Sequence, residues 1–141
     1  LTKYKIDDVA KEVGLTKRTI RYYEELGLLE APERSEGGTR LYAREHIEQL
    51  KQIVNARDVL GFSLQEIQEF VAISRKLNAH RQGYLQTEDK ELKRQELLEM
   101  RQIVQNQLEL MDQKLAKIAE FRKTTELRYQ RLQAVLDSLA D

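Results

Sequence analysis

Lys17, Arg18, Arg21 and Tyr22 fall within two helical turns, and no acidic residue stands between them. Stepping about 100° per residue gathers these four on one side of a helix and sends Thr19, Ile20, Tyr23 and Leu26 to the other. Side chains of this kind suit one sort of chemistry. A guanidinium fork grips a phosphate or the edge of a guanine, and a phenol hydroxyl donates to phosphate. Free backbone amides at a helix N-terminus add to the attraction for anions. Thr16 stands where an N-cap would open this helix, with Leu15 and Ile20 placed as a hydrophobic staple. Taken as one isolated helix, the same charges fit a solvated surface equally well. Tyr23 reads as core by its position. Nothing else in the chain resembles a reactive set: there is no glycine-rich phosphate loop, no nucleophile beside a base and no metal-ligand cluster. An enzyme is not expected, nor a cofactor or a metal. His46 and His80 have no acid, serine or ligand at useful spacing and read as ordinary surface histidines.

The elements that must hold this face follow from local signals. Ile6, Val9, Ala10 and Val13 repeat at the spacing of one helical face, and Gly14 follows where a left-handed residue would close the helix. Gly27 ends the second helix. Ala10, Gly14 and Ile20 stand at helix-turn-helix spacing: a small residue where helices touch, a glycine in the turn, and an apolar wedge with Val9, Val13, Leu15 and Tyr23. The run "APERSEGGTRLY" from Ala31 to Tyr42 offers two short strands around Gly37-Gly38, with Arg40 and Tyr42 on one face and Leu41 on the other. A helix from about Arg44 to Leu60 follows, with Ile47, Leu50, Ile53, Val54 and Arg57 or Leu60 at core spacing, and Gly61 ends it. Ser63 and Glu66 then form a capping box, with Phe62 and Ile67 as the staple.

Residues 80–87 are polar, contain Gly83 and read as a linker. From Glu88 onward Leu97, Val104, Met111, Ile118, Thr125, Leu132 and Leu139 lie seven apart, and Arg101, Leu108, Leu115, Arg122, Tyr129 and Leu136 lie four further on. This is a coiled-coil seam. Glu88, Asp89 and Glu91 occupy its first turn, where negative charge favours the helix dipole. So narrow a stripe needs a partner, and a second copy is the simplest one. Leu97, Val104, Leu108, Met111, Leu115, Ile118, Leu132 and Leu136 are then the dimerisation residues. Arg101, Arg122 and Thr125 weaken the seam and leave open a bend between Lys123 and Glu126.

The 141 residues carry 24 Lys+Arg against 24 Asp+Glu, a net charge of zero, which argues against a nucleic-acid partner until placement is considered. The acids of the first half sit at Asp7, Asp8, Glu12, Glu24, Glu25 and in the hairpin, away from the cationic turns. No cysteine is present, which excludes disulfides, thiolate metal sites and thiol redox sensing and fits a reducing compartment. With no apolar run long enough to span a bilayer and no signal-peptide pattern, a cytoplasmic, nucleoid-associated location is expected. The chain opens on Leu1 rather than Met, so a few residues ahead of it are expected.

The stretch "IDDVAKEVGLTKRTIRYYEELGLLEAPERSEGGTRLY", followed by "LGFSLQEIQEF" and a long helix, resembles the MerR family of bacterial transcription regulators in order and spacing over residues 4 to about 73. The resemblance implies a mainly α fold. A winged helix-turn-helix domain with a small β-hairpin wing would cover residues 1–79, a linker 80–87, and a long coiled-coil dimerisation helix 88–141. It implies a homodimer through an antiparallel coiled coil that binds a pseudo-palindromic promoter operator in double-stranded DNA, distorts an over-long spacer and acts on RNA polymerase. By the same resemblance, Thr16, Lys17, Arg18, Arg21 and Tyr22 match the recognition helix. Arg34 and Arg40 match wing residues that touch phosphate, with Tyr42 as contact or wing support and Ser63 as a backbone contact or simply a cap. The chain departs from metal-sensing members in lacking their cysteines and from drug-sensing members in lacking an appended ligand domain, so its effector is unknown. Two other readings stand beside this one: a coiled-coil adaptor whose helix-turn-helix halves bind protein, and an architectural DNA-binding protein without promoter choice.

Overall fold

The computed structural model describes residues 2–140 and is mainly helical, with one two-stranded hairpin. Its order is α1 (Ile6–Val13), α2 (Lys17–Glu25), β1 (Glu33–Arg34), β2 (Arg40–Leu41), α3 (Arg44–Asp58), α4 (Leu64–Gln86) and α5 (Lys90–Leu139). The described residues form two compact units that meet between Asn78 and Ala79, inside α4.

In the first unit the local signals act where they stand. Gly14 takes a left-handed φ of 74° and closes α1, its amide donating to the Ala10 carbonyl at 3.0 Å; a side chain there would be strained. Thr16 caps α2, its Oγ1 accepting from the Thr19 amide at 3.1 Å. Three residues, Gly14, Leu15 and Thr16, separate α1 from α2, and the staple residues Leu15 and Ile20 are both buried. α1 packs on α2 and α3, and Val9, Ile20, Tyr42, Ile47, Leu50 and Ile53 form a core that water does not reach. Burying side chains of this size contributes about 1.5–3 kcal/mol each before the entropy of ordering them. Ala56 completes the α3 face where Val54 was expected to take a larger share. Ser63 Oγ accepts from the Glu66 amide and Glu66 Oε1 accepts from the Ser63 amide, the reciprocal pair that opens α4.

The strands pair antiparallel, with Glu33 opposite Leu41 and Arg34 opposite Arg40. Their turn closes through Gly38 N–H to the Ser35 carbonyl and Ser35 N–H to the Thr39 carbonyl. Tyr4 adds a rung beyond the hairpin by exchanging two 2.8 Å backbone bonds with Tyr42. So short a hairpin is marginal on its own, and that rung ties it to the segment before α1.

Two expectations about the second half change, and the bend left open between Lys123 and Glu126 is absent. The stretch expected as a linker is helical through Gln86, leaving Thr87, Glu88 and Asp89 as the joint between α4 and α5. Gly83 did not break the helix; a β-carbon there would lie 2.9 Å from Glu96 Oε1, so the glycine serves the close approach of α5. Asp89 is not in the first turn of α5 but caps it, Oδ1 accepting from the Glu91 and Leu92 amides. Finally, α5 runs unbroken for 50 residues. Thr124 and Thr125 return their hydroxyls to the carbonyls of Glu120 and Phe121, and Arg122 pairs with Glu126 at 3.0 Å, so the polar stretch holds its helix by local bonds.

Candidate nucleic-acid interface

α2 is as sharply two-faced as its spacing indicates: Ile20 and Tyr23 are buried, whereas Lys17, Arg18, Arg21 and Tyr22 are exposed. Arg18, Thr19, Arg21, Tyr22 and Glu25 line a shallow, open depression on this face. Tyr22 stacks at a tilt on Tyr23, with ring centroids 6.4 Å apart, and so stands on a buried base while its own ring is 46% exposed.

The pairing of the basic side chains separates them into two groups. Arg34, Arg40, Arg44, Arg57 and Arg75 each donate to a carbonyl or carboxylate of the first unit. Arg18 and Arg21 make no such bond among the described residues. Their guanidinium groups face solvent with their hydrogen-bonding capacity free, which is what an anion-binding surface requires. Lys17 is different: Asp7, in the first turn of α1, accepts from its Nζ at 2.8 Å, and this bond holds the Asp7 carboxyl below the usual aspartate range. Ten residues separate the two, so their meeting depends on the angle between α1 and α2.

The hairpin residues divide in the same way. Arg34 is exposed and uses Nη1 to close the turn on the Gly38 carbonyl, which leaves the rest of its fork outward. Arg40 is instead drawn inward. Its Nε donates to Glu24 Oε2 at 3.1 Å, and the side chains are only 28% and 14% exposed. Tyr42 is fully buried, and its hydroxyl lies 3.5 Å from the same Glu24 oxygen. Burial first, and the Glu24 charge second, push the Tyr42 hydroxyl above its ordinary range, so it stays a donor. Of the two roles expected for Tyr42, contact or wing support, the buried ring favours the second: with Arg40 it ties the wing to α2 through Glu24. Sequence spacing had put Arg40 and Tyr42 on one face but gave no sign of Glu24, which lies 16 and 18 residues away.

Thr16 and Ser63 both spend their side-chain oxygens on caps while remaining exposed. Both histidines differ from expectation. His46 Nδ1 accepts from the Ala43 amide at 2.9 Å and so starts α3, with its ring edge-on to Tyr42. His80 pairs with Glu96 at 2.8 Å in the second unit. Among the described residues no group of three or more His, Cys, Asp or Glu could hold a metal ion, and no helix is long and apolar enough to cross a membrane.

On α5, Leu97, Val104, Leu108, Leu115, Ile118, Leu132 and Leu136 are all exposed large hydrophobics, and Met111 is half-buried. Among the described residues the seam is thus left largely exposed.

Comparison with known proteins gives this geometry a family. Residues 4–72 match the MerR HTH family regulatory protein pattern. The HTH-type transcriptional regulator YfmP of Bacillus subtilis is 45% identical over 84% of this chain and 85% of its own. The HTH-type transcriptional regulator CueR of Salmonella typhi is 50% identical over 47% of each chain, so there the likeness spans about half of the relative. Among solved structures, HiNmlR, described as a MerR family regulator lacking the sensor domain and bound to promoter DNA, aligns over 81% of this chain and 79% of its own at 20% identity with a TM-score of 0.47. With YfmP alike over most of both chains, this protein belongs to the MerR family of helix-turn-helix transcription regulators, which are DNA-binding proteins and not enzymes.

Proposed function

We propose that the protein works as a homodimer joined by an antiparallel coiled coil of α5, binds a pseudo-palindromic promoter operator in double-stranded DNA, and controls RNA polymerase there by distorting the promoter spacer. One observation carries the reading: Arg18 and Arg21 stand exposed and unpaired on the first two turns of α2, while the other arginines of that unit are committed to partners. A helix N-terminus bearing two free guanidinium forks suits entry into a major groove, with Tyr22 and Arg34 positioned to reach flanking phosphates. Thr16 and Ser63 can add backbone contacts while still capping. The exposed stripe on α5 supports the dimer, since an apolar seam repeating every 3.5 residues is stable only when covered.

Mapping the chromosomal sites of the protein identifies the operator, and titration of that duplex tests the residues. Arg21→Ala is expected to weaken binding by about 1–3 kcal/mol if the fork reads a base edge, or to lower the slope of log affinity against log salt by about 0.9 if it holds a phosphate. A mutant that binds like the parent by both measures removes Arg21 from the interface. Equal affinity for every duplex tested removes promoter choice.

A further inference from the structure

We propose that the two copies of α5 pair in one particular register, with Leu115 of each packed against Ile118 of the other and the two-fold axis beside residues 116 and 117. This rests on the dimer reading above and specifies its geometry.

Near its start α5 meets the last turns of α4 on one flank of the seam: Lys93 Nζ lies 5.1 Å from the Tyr84 ring centroid and Glu96 pairs with His80. Farther along, the seam residues Val104, Leu108, Leu115 and Ile118 are 42%, 55%, 63% and 61% exposed. The helix is continuous through all of them, so heptad geometry extends over its length, about 75 Å at 1.5 Å per residue.

Charge decides orientation. A parallel pair sets each residue opposite its own copy, so Arg101 would face Arg101 and Arg122 would face Arg122 inside the seam. An antiparallel pair sets each against the other class of seam position. In the proposed register Arg101 meets Leu132 and Arg122 meets Met111, where their methylene stems cover apolar surface and their charged heads reach water.

Charge also decides register, because the positions flanking an antiparallel seam face their own kind. In the proposed alignment Asp112 lies beside Ala119 of the other copy. Sliding by one heptad in one direction sets Asp112 against Asp112. Sliding the other way sets Asp112 against Glu126. Both slides place like charges at contact, the device by which coiled coils reject wrong alignments. Sliding by two heptads leaves either Leu97 and Val104, or the seam beyond Arg122, without an apolar partner.

The chain has no cysteine, so introduced pairs report register without interference. In the full-length protein Leu108→Cys combined with Thr125→Cys brings a thiol of each copy into disulfide range of the other. Combined with Ile118→Cys or Leu132→Cys it reports the one-heptad slides, and with Leu139→Cys a two-heptad slide. The expected result is a covalent dimer after mild oxidation from the 108/125 pair alone. Cross-linking of one other pair alone overturns the register but leaves the dimer standing; cross-linking of every pair overturns the orientation, because in a parallel dimer the two position-108 thiols face each other; and a dimer that none of the pairs links overturns the seam as its interface. A monomer in sedimentation equilibrium at micromolar concentration overturns the dimer reading itself.

Discussion

Arg40→Ala separates two roles that the same residue could have. In the structure its Nε donates to Glu24, whose side chain is 14% exposed, and the Tyr42 hydroxyl is the other hydrogen-bond donor to that carboxylate, at 3.5 Å. Breaking a fully buried pair costs about 3–5 kcal/mol, because an uncompensated charge is left behind. An exposed pair is worth about 0.2–1 kcal/mol. With Arg40 itself 28% exposed and water able to reach Glu24 from one side, the expected cost falls between these limits, at about 1.5 kcal/mol. For a urea dependence of about 1.5 kcal/mol per molar, the unfolding midpoint drops by about 1 M. Tyr42→Phe is the control: it removes a contact beyond ordinary hydroxyl–oxygen range and should cost under about 0.5 kcal/mol. Operator titrations over a range of salt complete the test. If Arg40 acts by fastening the wing, Arg40→Ala weakens binding without flattening the salt dependence, whereas Arg34→Ala flattens it. An unchanged urea midpoint together with a salt slope lower by about 0.9 would refute this assignment and make Arg40 a phosphate contact.

Other outcomes follow from local geometry. Glu12 accepts from Arg44 at 2.8 Å and Lys51 at 3.0 Å, and these bonds, Arg44 first, hold its carboxyl below the ordinary 4.5. A depressed folded-state value contributes stability above the unfolded value and loses it as pH falls through the folded one, so thermal melts should show Tm falling below about pH 4.5, with Glu12→Gln removing part of that acid-side fall. A Tm profile identical in parent and mutant would mean the pairs contribute nothing. Thr16→Ala removes the α2 cap and should cost about 1 kcal/mol in denaturant unfolding, whether or not DNA is present; a loss seen only in DNA binding would make Thr16 a contact instead of a cap.

What could be read directly from the chain was whatever acts within four or five residues: Gly14 and Gly38 where φ is positive, the caps at Thr16 and Ser63, the staples, and the two faces of α2. Such signals are local because helix ends and turns satisfy their backbone groups with near neighbours. Heptad repetition likewise declared the α5 stripe without any tertiary information. Folding decided which charges were available. Lys17 finds Asp7, Arg40 and Tyr42 find Glu24, and His80 finds Glu96 only once helices and hairpin are packed. Spacing in sequence carries no record of a partner 10 to 18 residues away across a turn. The same packing left Arg18 and Arg21 without a hydrogen-bonded or ion-paired acid among the described residues, so the cationic surface is defined as much by which arginines folding neutralised as by which ones the chain contains.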